Sequence, residues 1–198
     1  LAQAAAQLLE VSGDLEGAAR DFGWIRRFVD YWLTSHAAPF GLCRWGGPAY
    51  YSGIDNEILA SILHPSSIVA PDVNAYLYAE LRALAFIAER INDGTAAEEL
   101  RQRADELRES INGHLWSDEI GAFGAYNTSR GSVHISLGSK DHRRGMGVCA
   151  PPGGPPRPVL YTGAATQEHG ETMCRQYVIA PEHFRSPFGI RSLSRSSE

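Results

Sequence analysis

The stretch PDVNAYLYAELRALAFIAERINDGTAAEELRQRADELRESI, residues 71–111, decides the fold. Val73, Leu77, Leu81, Leu84, Ala88 and Ile91 recur at steps of three and four, which puts them on one stripe of an α-helix. Asp72 stands where a carboxylate accepts from the free N–H groups of a first turn, so it is the expected cap. Asn92-Asp93-Gly94 ends that helix. Thr95-Ala96-Ala97-Glu98 then has the T-x-x-E form of a capping box, and a second stripe follows in Ala97, Leu100, Ala104, Leu107 and Ile111. The connection is so short that the second helix must run back along the first, as an αα-hairpin.

Working outward, residues up to about 12 are rich in Ala, Leu and Gln and read as the end of a helix. Ser12-Gly13-Asp14 breaks it, and Asp14 is placed to cap a helix whose stripe is Phe22, Ile25, Val29 and Trp32, ending near Thr34. Pro39 and Gly41 close it. Residues 40–72 show little periodicity, and a connection of about 30 residues is far longer than usual, which marks it as functional. After the hairpin, Leu115-Trp116-Ser117-Asp118 opens a loop that returns at Gly121-Ala122-Phe123-Gly124. Residues 145–163 are dominated by Gly and Pro, so no helix interior is expected there. Thr166 caps a last helix to about Ile179, and Pro181 stops it. Two packed helices per unit, with loops gathered at one end, indicate an all-α layered or toroidal array in a single domain spanning 1–198. Residues 138–157 are an insertion or an irregular loop. No strict period recurs, which argues against tetratricopeptide and ankyrin repeats.

The composition narrows the function classes. Of 198 residues, 43% are hydrophobic and 21% charged, which suits a folded domain. A net charge of −5 argues against nucleic acid or an anionic membrane as partner, since phosphate neutralisation needs a basic face. The pairs Arg26-Arg27 and Arg143-Arg144 are too short to reverse that. No apolar run approaches the roughly 20 residues of a membrane span, and no secretory leader is visible, so the expected location is the cytoplasm. Both ends look cut. Cys43, Cys149 and Cys174 are odd in number and widely spaced, so no disulfide framework is expected. Gly145-Met146-Gly147-Val148-Cys149-Ala150 has the letters of a dinucleotide fingerprint, but Pro151-Pro152 forbids the helix that would hold the pyrophosphate. No histidines share metal-ligand spacing on one helix face, and His169 and Cys174 lie out of register. No metal and no cofactor is expected. Asn127-Thr128-Ser129 is a glycosylation sequon by letters only.

What remains is the segment around Asp55. Asp55, Asn56 and Glu57 are consecutive, with Trp45, Tyr50 and Tyr51 just upstream. Sugar sites need flat aromatic faces, fixed polar groups, and a carboxylic acid that stays protonated to serve the leaving oxygen. Burial beneath aromatic rings can raise an Asp from ~3.9 toward ~6 for that purpose. On these residues alone, a plain turn with core aromatics is the favoured reading.

The order of several blocks adds a resemblance. Arg44-Trp45-Gly46-Gly47 followed by Tyr51-Ser52-Gly53-Ile54-Asp55-Asn56 resembles the "SGxDN" signature of glycoside hydrolase family 63 and its mannosylglycerate-hydrolase-like relatives; the related trehalases carry "SGWD". Pro71 to Glu80 is similar to their "vDLNAyLy.E" helix start. Ile111 to Phe123 is similar to "IN..LWde..G.F", Pro158 to Ala165 to "PLyaGvA", and Phe184 to Ser194 to "F.spyGirSLS". The blocks stand in family order over about residues 20–198.

The resemblance implies an (α/α)6 toroid-type barrel with a sugar pocket at one end, and inverting hydrolysis of an α-glucoside or α-mannoside by an acid and a base. It makes Asp55 the general acid, with Trp45, Tyr51, Asn56, Asn74 and Trp116 as substrate-binding residues. Trp116 serves equally well as core. Arg191 is read as a structural anchor of its turn. The partner is a small saccharide or glycoside. The family's general base is a Glu beyond the last block, and Glu198 does not match it. Glu57 is a poor substitute, because an inverting pair stands ~6.5–9.5 Å apart across the sugar. With about five or six helices, the expectation is a partial arc of the barrel, prone to self-association through its apolar edges and with little activity in isolation. The alternative is a non-catalytic helical scaffold or carbohydrate-binding module; a protein-interaction repeat would instead present Trp45, Tyr50 and Tyr51 as a surface patch.

Overall fold

The computed structural model of the chain describes residues 1–46, 67–119, 121–134, 157–175, 185–186 and 189–190. Its body is helical. Helices α1 (Ala2–Ser12) and α2 (Leu15–Ser35) pack against a central helix α3 (Pro71–Arg90), which is paired along its length with α4 (Gly94–His114). Two short helices, α5 (Arg157–Tyr161) and α6 (Gln167–Met173), close one end. The fold is all-α, as the periodicity indicates.

The α3–α4 hairpin forms the core. Val73, Leu77, Leu81, Leu84 and Ala88 of α3 are buried, and Ile91 packs at their rim. All five residues of the α4 stripe are buried, Leu100, Ala104 and Ile111 with no exposed surface at all. From α2, Phe22, Ile25 and Val29 enter the same core with Trp32 at its edge; α1 adds Ala2, Ala6 and Leu9. Burying one such aliphatic side chain contributes about 1.5–3 kcal/mol, so this seam supplies most of the stabilisation that holds the helices together.

The helix ends partly match their expected chemistry. Asp14 caps α2 by accepting from the Gly17 N–H at 2.9 Å, and Thr166 caps α6 by accepting from His169 N–H at 3.2 Å. The capping box at Thr95–Glu98 does not form. Asn92 takes a left-handed conformation (φ 64°), a region that Asn tolerates, and this turns the chain two residues sooner. Asp93 is therefore the cap and accepts from Ala96 N–H at 3.0 Å. Asp72 is not a cap either: α3 begins at Pro71, after Ala70, and the Asp72 side chain turns inward. The Gly/Pro-rich region does contain a helix, since α5 holds Pro158 in its first turn, where a missing N–H costs nothing. The rest of residues 138–156, and Ile179 and Pro181, lie outside the described residues.

Short strands flank the open end of the hairpin, where α3 begins and α4 ends. β1 (Ile68–Val69), β4 (Ala125–Asn127) and β5 (Ser132–His134) form an antiparallel sheet in the order β1-β4-β5. Its registers include Val69 opposite Tyr126 and Ala125 opposite His134. β2 (Trp116–Ser117) and β3 (Ala122–Phe123) make a hairpin from the expected loop return, with Trp116 opposite Phe123. β6 (Arg185–Ser186) pairs with β7 (Gly189–Ile190). No helix among the described residues is long and apolar enough to cross a membrane.

Candidate active site

The first turn of α3 gathers the polar groups of the site. Asn74 is completely buried, and its amide is spent on backbone: Oδ1 accepts from Cys43 N–H at 2.7 Å, and Nδ2 donates to Cys43 C=O at 2.9 Å and Ala70 C=O at 2.7 Å. This two-way bond with residue 43 mimics a strand pairing and locks the segment before the loop onto the helix. Burial pushes the neighbouring Cys43 thiol up to about 11, so it remains protonated.

Asp72, one turn-position earlier, is also fully buried. Its Oδ1 accepts from the Trp45 indole Nε1–H at 3.0 Å and from Val73 N–H at 2.7 Å. Its Oδ2 has no partner among the described residues. Burial raises the carboxyl from 3.8 to about 6, against the opposing pull of those two donors. The Trp45 ring meets Trp32 edge-on, with centroids 5.7 Å apart at 86°, and rests on the small apolar cluster of Ile68, Ala70 and Ala125. The chain leaves the described region after residue 46 and re-enters at 67; Cys43 and Trp45 before the segment carrying Asp55, and Ala70 after it, are hydrogen-bonded to Asn74 and Asp72 in the first turn of α3.

Trp116 stands at the end of α4 in a second aromatic group. Its ring stacks on the His169 imidazole at 4.0 Å and 10° and meets Phe123 edge-on at 5.0 Å. Its indole donates to Asp118 Oδ1 at 2.8 Å. Asn112 fixes the histidine. Its Nδ2 donates to Arg108 C=O and Ala164 C=O, so its Oδ1 can only accept, from Thr166 N–H and from His169 Nδ1 at 3.0 Å. The imidazole is therefore the Nδ1–H tautomer. Burial lowers its pKa, against the pull of Glu168 and Asp118.

Of the residues expected to form the sugar site, the structure places Trp45, from the segment before the loop, and Asn74 at the first turn of α3, and Trp116 of β2 against His169 of α6. Asp55, Asn56 and Tyr51, with Tyr50, Glu57 and Arg191, lie outside the described residues. Asn74 faces backbone rather than a cavity. Asp72 was the residue that local pattern misassigned: its burial depends on Trp45, 27 positions away. The one hint was the neighbourhood Pro71-Asp72-Val73-Asn74, with two polar residues inside an apolar helix start. Among the described residues, no group of three or more His, Cys, Asp or Glu side chains could hold a metal ion.

The site thus consists of a helical hairpin whose first turn carries a buried carboxyl and amide beside an indole. The chain belongs to the family described as the mannosylglycerate hydrolase MGH1-like glycoside hydrolase domain, which matches residues 1–198. Among solved structures, it is similar to a family 78 rhamnosidase from Bacillus sp. GL1, with a TM-score of 0.65 and 20% sequence identity. The match covers 94% of this chain and 17% of the rhamnosidase chain, so the likeness speaks for the fold. A search of curated protein sequences finds no match.

Proposed function

We propose that this chain forms part of the catalytic domain of an inverting glycoside hydrolase that cleaves a small α-glucoside or α-mannoside, with Asp55 as general acid. The observation that carries the reading is the double tether at the start of α3. Asn74 grips Cys43 and Asp72 grips Trp45, so the segment bearing Tyr51, Asp55 and Asn56 starts and ends beside an indole face. A general acid must hold its proton at the glycosidic oxygen, and a site framed by rings and buried backbone favours the neutral carboxyl. In this reading Trp45 and Tyr51 stack on the sugar, Asn56 binds a hydroxyl, and Trp116 supplies a wall near the far end of α4. The water-activating base is a carboxylate outside residues 1–198; an inverting mechanism sets it on the opposite face of the ring.

The test is turnover of alkyl α-glucosides and α-mannosides, whose leaving oxygens need a proton, by the full-length protein and its Asp55→Asn variant, with the anomer first released read by NMR. The expected result is a loss of about 100-fold or more in kcat for natural leaving groups and release of the β-anomer. Unchanged rates remove Asp55 from the mechanism. Saccharide binding with no turnover in the wild-type protein supports a binding module instead.

A further inference from the structure

We infer that Asp72 is a positioning residue of the sugar site, acting through Trp45: its buried carboxyl holds the indole N–H and so sets the angle of the aromatic wall. This rests on the glycosidase reading and extends it to a residue that the reading does not use. Three observations carry it. Asp72 is fully buried, yet it is not the N-cap of α3, which starts on Pro71 after Ala70; its one bond to the helix is the acceptance from the first-turn Val73 N–H. One oxygen takes both available donors, Trp45 Nε1 at 3.0 Å and Val73 N at 2.7 Å. The other oxygen is left without a partner among the described residues, a costly arrangement to keep for packing alone.

The surroundings define what the carboxyl senses. From the chain before the loop it meets Trp45, whose ring meets Trp32 edge-on, and Trp32 in turn stacks on His36 at 4.2 Å. No charged neighbour among the described residues contributes to its raised pKa. The protonated acid and the carboxylate therefore differ mainly in how strongly they pull the indole N–H. A ring whose single hydrogen bond fixes its tilt is well suited to a stacking surface, because little rotamer entropy remains to be lost when sugar binds.

The experiment has one arm that needs no catalysis. Fluorine NMR of the full-length protein labelled with fluorotryptophan, with Trp45→Phe identifying the resonance, should show the Trp45 signal moving with a midpoint near pH 6. The same signal should be flat with pH in Asp72→Asn, which retains an oxygen for the indole but cannot ionise. A Trp45 signal that ignores pH, or one that titrates unchanged in Asp72→Asn, overturns the inference. In the kinetic arm, Asp72→Leu should raise KM for aryl α-glycosides by about tenfold while kcat falls less, and Asp72→Asn should restore KM to within about twofold of wild type. Combining Asp72→Leu with Trp45→Phe should cost no more than either change alone; fully additive losses also overturn it. If Asp55→Asn leaves turnover intact, the glycosidase reading fails while the resonance arm still judges the Asp72–Trp45 link.

Discussion

Replacing Asp72 by Asn isolates the cost of a buried charge. In the unfolded chain this carboxyl titrates at its ordinary 3.8, and in the folded protein at about 6. The folded state thus holds the proton more tightly. Below about pH 3 both states are protonated and the group favours folding fully; as pH rises from there through 6 the unfolded and then the buried acid ionise and that advantage is lost. The gap between the two values amounts to about 3 kcal/mol, and complete burial leaves little solvent screening to reduce it. Asp72→Asn keeps an acceptor for Trp45 and Val73 but removes the titration. Its amide brings a fixed cost of its own, which cancels when two pH values are compared. Urea unfolding of wild type and variant at pH 3 and at pH 7.5, followed by circular dichroism, reads the quantity directly. The stability difference between them should swing by about 3 kcal/mol in the variant's favour at the higher pH, moving its relative midpoint by about 1 M urea or more. A swing under about 1 kcal/mol would mean that the carboxyl is reached by water or paired, and the account of its burial would be wrong.

Three other outcomes follow from the same packing. Asn74→Ala should destabilise by about 3–5 kcal/mol in chemical denaturation, because it strands the Cys43 N–H and C=O and frees both ends of the loop; a loss under 1 kcal/mol would show that the loop does not depend on that tether. Leu100→Ala, at a fully buried position on the α3–α4 seam, should cost about 2–5 kcal/mol by the same measurement, and a value in the range of a surface substitution would displace the seam from the centre of the core. On α2, Trp24, Phe28 and Tyr31 are exposed along one face, Trp24 by 72%; a Trp24→Glu, Tyr31→Lys double variant should lower self-association in sedimentation velocity, and identical profiles would argue against this face as a sticky edge.

The hairpin was legible because periodicity is a local property. A stripe at steps of three and four names its own buried face, and Val73 to Ala88 and Ala97 to Ile111 needed no knowledge of their partners. Capping was legible only where the backbone stayed ordinary. Asp14 follows a glycine that turns the chain, and it caps as its spacing indicates. Thr95 lost that role because Asn92 adopted a positive φ, a choice that no pattern of Thr and Glu encodes. The strands escaped notice for a different reason. Two or three residues cannot show alternation, and β1 finds its partners 57 and 59 positions along the chain, at residues 126 and 127.

The polar turn of α3 shows the limit most clearly. Read locally, Asp72 and Asn74 are a cap and a mouth residue, since Asp and Asn favour helix starts for their short oxygen-bearing side chains. In the folded chain the same short side chains reach sideways, to Trp45 and Cys43, because Pro71 already begins the helix and leaves them no capping duty. A polar residue that local structure does not need, yet folding buries, has to be explained by what it holds. Asn74 holds backbone, and its three bonds account for it completely. Asp72 holds an aromatic ring and leaves one oxygen without a partner among the described residues. That asymmetry between two neighbours on one helical turn separates a tether whose bonds are all spent on backbone from a carboxyl with an acceptor to spare.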